Sequence, residues 1–234
     1  MDIIIGIDGL EYNYVTEFQL KGLTQKVYGK TDLSEFEKPR TMVIWSSFMS
    51  GINQEKRIMS LKNMWGFKLN KEETFLSKIP KSIAIDVPGY NQDLEQHEKE
   101  RQAMKDFFDK KITVEEYDNM VLAHHKKIKE KFFEELEKDN ELVMGYFGAA
   151  DVIGHLSFGM KIKMKVIYKE MEEIVRKASE KADRLLVISD HGMEAVGRYG
   201  DHSTYGFWSL NFEPGLDNPK PTDFYKLIIK DREI

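Results

Sequence analysis

Leu185-Leu186-Val187-Ile188-Ser189-Asp190-His191-Gly192 is an apolar run that ends abruptly in a hydroxyl, a carboxylate, an imidazole and a glycine. A run this short and continuous reads as a strand covered on both faces, the habit of a parallel sheet. An adjacent Asp and His directly after such a strand are costly to bury unless something pairs with them. Three further runs share the form: Ile3-Ile4-Ile5-Gly6-Ile7, Ser82-Ile83-Ala84-Ile85 and Leu142-Val143-Met144-Gly145-Tyr146-Phe147. Ahead of Leu185, Ile167, Met171, Ile174, Val175, Ala178 and Ala182 form a stripe at helical spacing. Strands alternating with helices predict an α/β fold with a mostly parallel sheet flanked by helices on both faces.

The length of 234 residues suits one domain, expected over 1–234. Within it, about 91–140 differs in character: it is densely charged and helical in pattern, with Val121, His125, Ile128, Phe132 and Leu136 on one face. It reads as a helical insertion or small cap. A loop-rich stretch over 213–221 precedes a short C-terminal helix expected around Thr222 to Lys230. There is no internal repeat and no low-complexity tract.

Composition narrows the chemistry. Lys and Arg number 35 against 40 Asp and Glu, a formal net charge of -5, which argues against stable nucleic-acid binding. A small nucleotide-like substrate stays open, because a bound metal can supply local positive charge. The chain has no cysteine, so disulfides and thiolate zinc sites are excluded, and any metal must use His, Asp, Glu or hydroxyl ligands. No stretch approaches the roughly 20 apolar residues of a membrane span. Residues 1–7 read as a strand and not as a leader, so the expectation is a cytoplasmic protein with no membrane partner. The sequence leaves the oligomeric state open.

Ligands in open α/β sheets gather beyond the carboxyl ends of the strands. After the first run comes Asp8-Gly9; after Phe147 come Asp151 and, four residues on, His155; after Ile188 come Asp190 and His191. Asp201-His202 lies just before the strand-like Phe207-Trp208-Ser209-Leu210, and the histidine is preferred as a ligand because imidazole is the commoner one. Each residue alone has a plain structural reading, Asp8 as a turn or cap residue, Asp151 and His155 as surface groups. Their joint placement at successive strand ends is hard to assign to capping alone. His125 falls on an apolar stripe and is expected to be a packed or interface residue; His97 and His124 lie in charged helical sequence and are expected to be solvated. Pro39 to Gly51 reads as a loop entering a short helix that stops at Gly51, with Thr41 at its N-terminus. Thr41 is there either as a cap or as a nucleophile beside free backbone N–H groups that hold a phosphate oxygen.

Gly6-Ile7-Asp8-Gly9, Thr41 to Gly51, Asp151-x-x-x-His155, Ser189-Asp190-His191-Gly192 and His202, in this order, resemble the alkaline phosphatase superfamily, and within it the type I phosphodiesterase/nucleotide pyrophosphatase family. The resemblance implies an alkaline phosphatase-like fold and a site for two divalent metal ions, zinc expected and manganese the alternative. Asp8, Thr41, Asp190 and His191 would hold one ion, and Asp151, His155 and His202 the other. It also implies a phosphoester hydrolase in which Thr41 is the nucleophile, forming a phosphothreonine that water then releases. The chain departs from the pattern after the nucleophile. Many relatives place a proline there and nucleotide pyrophosphatases an asparagine close behind, where this chain has Met42-Val43-Ile44. Arg40 would either partner the phosphate or stay in solvent. A metal-dependent phosphomutase and a non-catalytic metal-binding homologue are the alternatives; a cysteine-derived sulfatase is excluded.

Overall fold

The computed structural model describes residues 1–230; residues 231–234, included in the expected domain, lie outside the described residues. A six-stranded sheet forms from β1 (Asp2–Ile7), β2 (Val27–Asp32), β3 (Ser82–Ile85), β4 (Leu142–Phe147), β5 (Arg184–Ile188) and β8 (Tyr205–Leu210). Their order is β2-β8-β5-β1-β4-β3. β1 pairs in parallel with β4 on one side and β5 on the other, and β3 pairs in parallel with β4. β8 runs antiparallel between β5 and β2. A separate two-stranded hairpin is made by β6 (Met193–Val196) and β7 (Tyr199–His202). The sheet is therefore mostly parallel, as the apolar runs predict.

The period of two along each buried strand divides the core into two layers. Ile3, Ile5, Ile7, Val143, Leu185 and Val187 face one layer. They meet helices α6 (Val114–Leu136), α7 (Ala149–Ser157) and α8 (Lys161–Ser179) there. Ile4, Met144, Tyr146, Leu186 and Ile188 face the opposite layer, where α3 (Thr41–Ser50) and α9 (Asp223–Ile229) cover them. Fully burying one such isoleucine contributes about 1.5–3 kcal/mol. Covering both faces accounts for strands with no polar alternation.

Local chemistry sets the helix bounds, both of the short α1 (Tyr12–Glu17), α2 (Lys21–Thr24) and α4 (Glu55–Met59) and of the longer helices. Thr113 caps α6 in a reciprocal box with Glu116. Gly51 closes α3 in the left-handed region at φ 70°, its N–H bonded to the Ser47 carbonyl. The charged stretch over 91–140 contains α5 (Leu94–Phe108) and α6. The expected stripe on α6 is real: Val121, His125, Phe132 and Leu136 are buried. Phe132 and Leu136 belong to the same apolar layer as β1 and β4. Among the described residues, no helix is long and apolar enough to cross a membrane.

Candidate metal centre

Register brings the strand ends together. Gly6 stands opposite Ile188 and Ile7 opposite Phe147, so Asp8 and Asp190 leave adjacent strands at the same level, while α7 begins two residues beyond β4. Gly9 then turns the chain at φ 67°, and a Cβ there would lie 2.9 Å from Asp151 Cα, so a side chain is strained on both counts. The Ser189 hydroxyl accepts the Leu10 N–H at 3.0 Å and donates to the His191 carbonyl at 2.6 Å, binding the loops after β1 and β5 to each other. Tyr168 reaches in from α8, donating to the Gly9 carbonyl at 3.0 Å and accepting the Glu11 N–H at 2.9 Å. The Glu11 carboxylate in turn accepts from Met193 N–H at 3.1 Å and from the Tyr205 hydroxyl at 2.6 Å. These bonds fix the loops before any ligand is considered.

Two ligand groups result. Asp8, Asp190 and His191, all buried, offer ligand atoms within 4.8 Å of one another, and so do Asp151, His155 and His202. In the first, His191 Nε2 lies 3.2 Å from Asp8 Oδ1 and 3.3 Å from Asp190 Oδ2. In the second, Asp151 Oδ2 lies 3.3 Å from His155 Nε2 and its Oδ1 3.5 Å from His202 Nε2. The His191 and His202 rings stack with centroids 3.6 Å apart, which joins the groups. Asp201 is exposed, its carboxylate accepting the His202 N–H at 2.8 Å, so of this pair the histidine faces the site.

These distances leave the carboxylates poorly served. Among the described residues, Asp8 Oδ1, Asp151 Oδ1 and both Asp190 oxygens are buried with no aligned hydrogen bond, although imidazoles stand within ion-pair range. A buried carboxylate oxygen without a donor is costly. Burial, reinforced by Asp190 and Asp151, pushes the Asp8 carboxyl well above the usual carboxylate range. Burial also lifts Asp190 to about 7. Burial acts on Asp151 in the same sense, but His155, His202 and His191 outweigh it and hold Asp151 well below that range. The Asp151 charge raises His155 to about 9, while burial lowers His191. Three carboxylates and three imidazoles held this way fit divalent cations of the kind that accept mixed N and O ligands. The His191 Nδ1 and Gly192 carbonyl, 3.0 Å apart, show how the ring's other nitrogen is oriented.

No family model and no curated protein matches the chain. Among solved structures it is similar to murine ectonucleotide pyrophosphatase/phosphodiesterase 5, with 13% identity and a TM-score of 0.48. The match covers 84% of this chain and 58% of that one, so the chain spans less than two thirds of that enzyme's length. An inactive variant of the same enzyme in complex with AMP matches with 13% identity, the same coverage and a TM-score of 0.47. Likeness of this degree assigns neither family nor activity, and the site stands on its own geometry.

Thr41 opens α3, with its Oγ1 3.5 Å from His191 Nε2. Arg40 is the N-cap in extended conformation and makes no side-chain cap bond. The first backbone bond of this helix runs from Ile44 N–H to the Arg40 carbonyl at 2.9 Å, so the amides of Thr41, Met42 and Val43 have no acceptor within the helix. Arg40 itself is exposed, its guanidinium near Met64 sulfur.

Several residues around the site were not singled out by the sequence. The Tyr146 hydroxyl donates to Asp8 Oδ2. His124, expected to be solvated, is half-buried, its ring between Glu100 Oε1 at 3.2 Å and Asp86 Oδ2 at 3.5 Å. His97 is half-buried too, and packs on Trp65 with ring centroids 4.4 Å apart. Their charged helical surroundings concealed this, because the partners come from distant segments. His125 packs as expected, its ring edge on Phe147. Asp86 directly follows Ile85 of β3, so the rule that located Asp8 and Asp190 also points to it.

Proposed function

We propose that this chain is a metal-dependent phosphoester hydrolase of the phosphodiesterase type, with Thr41 as nucleophile. The observation that carries the reading is the convergence of Asp8, Asp190 and His191 with Asp151, His155 and His202 around buried carboxylate oxygens that have no aligned hydrogen bond among the described residues. Thr41 stands at the edge of this group. Asp8, Asp190, His191 and Thr41 would hold one divalent ion, and Asp151, His155 and His202 a second, zinc before manganese. Bound there, such a pair supplies positive charge for the attacking and leaving oxygens of an in-line displacement.

The chain's own residues supply the remainder. The amides at the start of α3 point toward the side on which Thr41 lies, and a helix N-terminus favours a phosphate oxygen. Thr41 Oγ1 forms a bond to phosphorus as the bond to the leaving alcohol breaks, giving a phosphothreonine that still carries the diester's second group; water then cleaves the Thr41–phosphorus linkage to release the phosphomonoester and regenerate the hydroxyl. Tyr146 keeps Asp8 oriented through its hydroxyl. A small, nucleotide-like phosphate ester and a cytoplasmic location complete the proposal, and both rest on the sequence.

The test is hydrolysis of a chromogenic phosphodiester, a phosphomonoester and a sugar phosphate before and after chelation. The diester should be cleaved, chelation should abolish turnover, and zinc or manganese should restore it. Full turnover by metal-stripped protein would end the reading, and sugar-phosphate isomerisation without hydrolysis would turn it to a mutase.

A further inference from the structure

Thr41 and Asp8 line a cavity of about 280 Å³ that also reaches a second polar group, one the hydrolytic reading leaves unused. That group is assembled from three elements. Asp86 follows β3, on the sheet edge that also carries Asp8; Glu100 comes from α5 and His124 from α6. Asp86 Oδ1 accepts the Asp93 N–H at 2.8 Å, and its Oδ2 lies 3.5 Å from His124 Nε2. The other nitrogen of His124 lies 3.2 Å from Glu100 Oε1, which also accepts from Gln96 Nε2 at 3.0 Å. Asp86 and Glu100 are each only 9% exposed.

A carboxylate–imidazole–carboxylate row could serve simply to clamp α5 and α6 to the edge strand. Two further atoms point to a ligand. Among the described residues, His125, 7% exposed, lines the same cavity with no partner for its Nδ1, while its Nε2 stands 3.5 Å from Glu170. Gln92 Oε1, also on the lining, is buried and receives no hydrogen bond from any described residue. A clamp would not leave these groups unserved.

The charges decide what fits. Asp86, Asp93 and Glu100 bring three carboxylates to the wall. Against them, among the described residues, the lining has no lysine and a single arginine. That arginine, Arg101, is engaged already, over the Trp65 ring at 4.9 Å and 3.6 Å from Glu98. Both nitrogens of His124 face carboxylates. A second phosphate in this space would meet like charge and no free lysine or arginine. Hydroxyl or amine donors would meet acceptors, and an apolar face would meet Trp65, Met104 and Val121.

We propose that this cavity holds the organic group of the phosphate ester, that Asp86, Glu100 and Gln92 receive its hydroxyl or amine donors, and that it excludes a group carrying a second phosphate. The inference rests on the hydrolase reading and narrows it to esters of donor-bearing alcohols, away from pyrophosphates.

Four p-nitrophenyl phosphodiesters differing only in the second group test it: 2,3-dihydroxypropyl, 2-aminoethyl, propyl and 2-phosphoethyl. Metal-loaded protein should favour the dihydroxypropyl or the aminoethyl ester over propyl by about tenfold in kcat/KM, and should disfavour the phosphoethyl ester against propyl by a similar factor. Whichever donor ester leads identifies the hydroxyl or the amine as the natural donor. In Glu100→Gln and Asp86→Asn the phosphoethyl-to-propyl ratio should rise, a readout internal to each variant and independent of its absolute rate. Preference for the phosphoethyl ester, or no preference among the four, would overturn the assignment on wild-type protein alone, as would an unchanged ratio in both folded variants. If no ester is hydrolysed, the hydrolase reading fails separately. Calorimetric titration with the four matching alkyl phosphonates then reads the cavity, where the same order supports it and equal or phosphate-favouring affinities refute it.

Discussion

Thr41 contributes one hydroxyl at the head of a helix whose next eight residues, Met42 to Met49, are buried. Its removal therefore leaves the packing of α3 intact. Thr41→Ala is expected to keep the fold and the bound metal while lowering kcat by roughly 10³-fold or more, because the proposed covalent intermediate forms on the hydroxyl it removes. Thr41→Ser should retain part of the activity with a less restricted rotamer. Diester turnover, circular dichroism and metal content on the three proteins check this; near-native turnover by Thr41→Ala would make water the direct nucleophile. At this scale the sequence was most informative where a residue lies one or two positions beyond a strand, as Asp8 and Asp190 do. It was least informative where a role depends on a partner far along the chain. Tyr146 reads as an ordinary strand aromatic until its hydroxyl meets Asp8, and His124 reads as solvated until Asp86 and Glu100 close on it.

Elements with unbroken apolar runs were legible because burial on both faces leaves one reading. β1, β3, β4 and β5 lie where their runs predict, and the Phe207–Leu210 segment lies within β8. β2 was not legible: it is an edge strand whose only buried residue is Thr31, so neither a continuous run nor clean alternation marks it. The β6–β7 hairpin hid for a similar reason, since Glu194, Ala195 and Val196 are exposed. The turn after β1 is the most demanding local feature. Gly9→Ala must hold a Cβ at φ 67° and 2.9 Å from Asp151 Cα. It should cost about 1–3 kcal/mol in denaturant unfolding and displace Asp151 enough to weaken metal binding. Unfolding with no change in midpoint would show that the loop relaxes freely.

For the whole molecule, the site's carboxylates and imidazoles tie stability to pH and to metal. Asp190 titrates at about 7 in the folded chain, against about 3.9 when unfolded. Its stabilising effect is thus full at low pH and lost as pH rises through about 7. His155, raised to about 9, likewise stabilises below its ordinary value of about 6.5 and loses that effect as pH rises through about 9. Both act in one direction, so the melting temperature of metal-free protein should fall from about pH 6.5 to about 9. Metal binds the deprotonated ligands, so its contribution should grow across the same window, and zinc-loaded protein should show a flat or rising profile. Parallel melting curves with and without zinc would remove the metal from the account. Asp8, Asp190 and His191 come together because they lie just beyond adjacent parallel strands of a mostly parallel sheet; the pocket beside them is built by helices whose charged sequence showed no such order. The claim on which everything else depends is that these residues hold two metals, and an anomalous-scattering map of zinc-soaked crystals tests it most directly. Two peaks should appear, roughly 4 Å apart, one among Asp8, Asp190, His191 and Thr41 and the other among Asp151, His155 and His202. A map with no peak at these residues, or with metal bound only elsewhere on the surface, would contradict it.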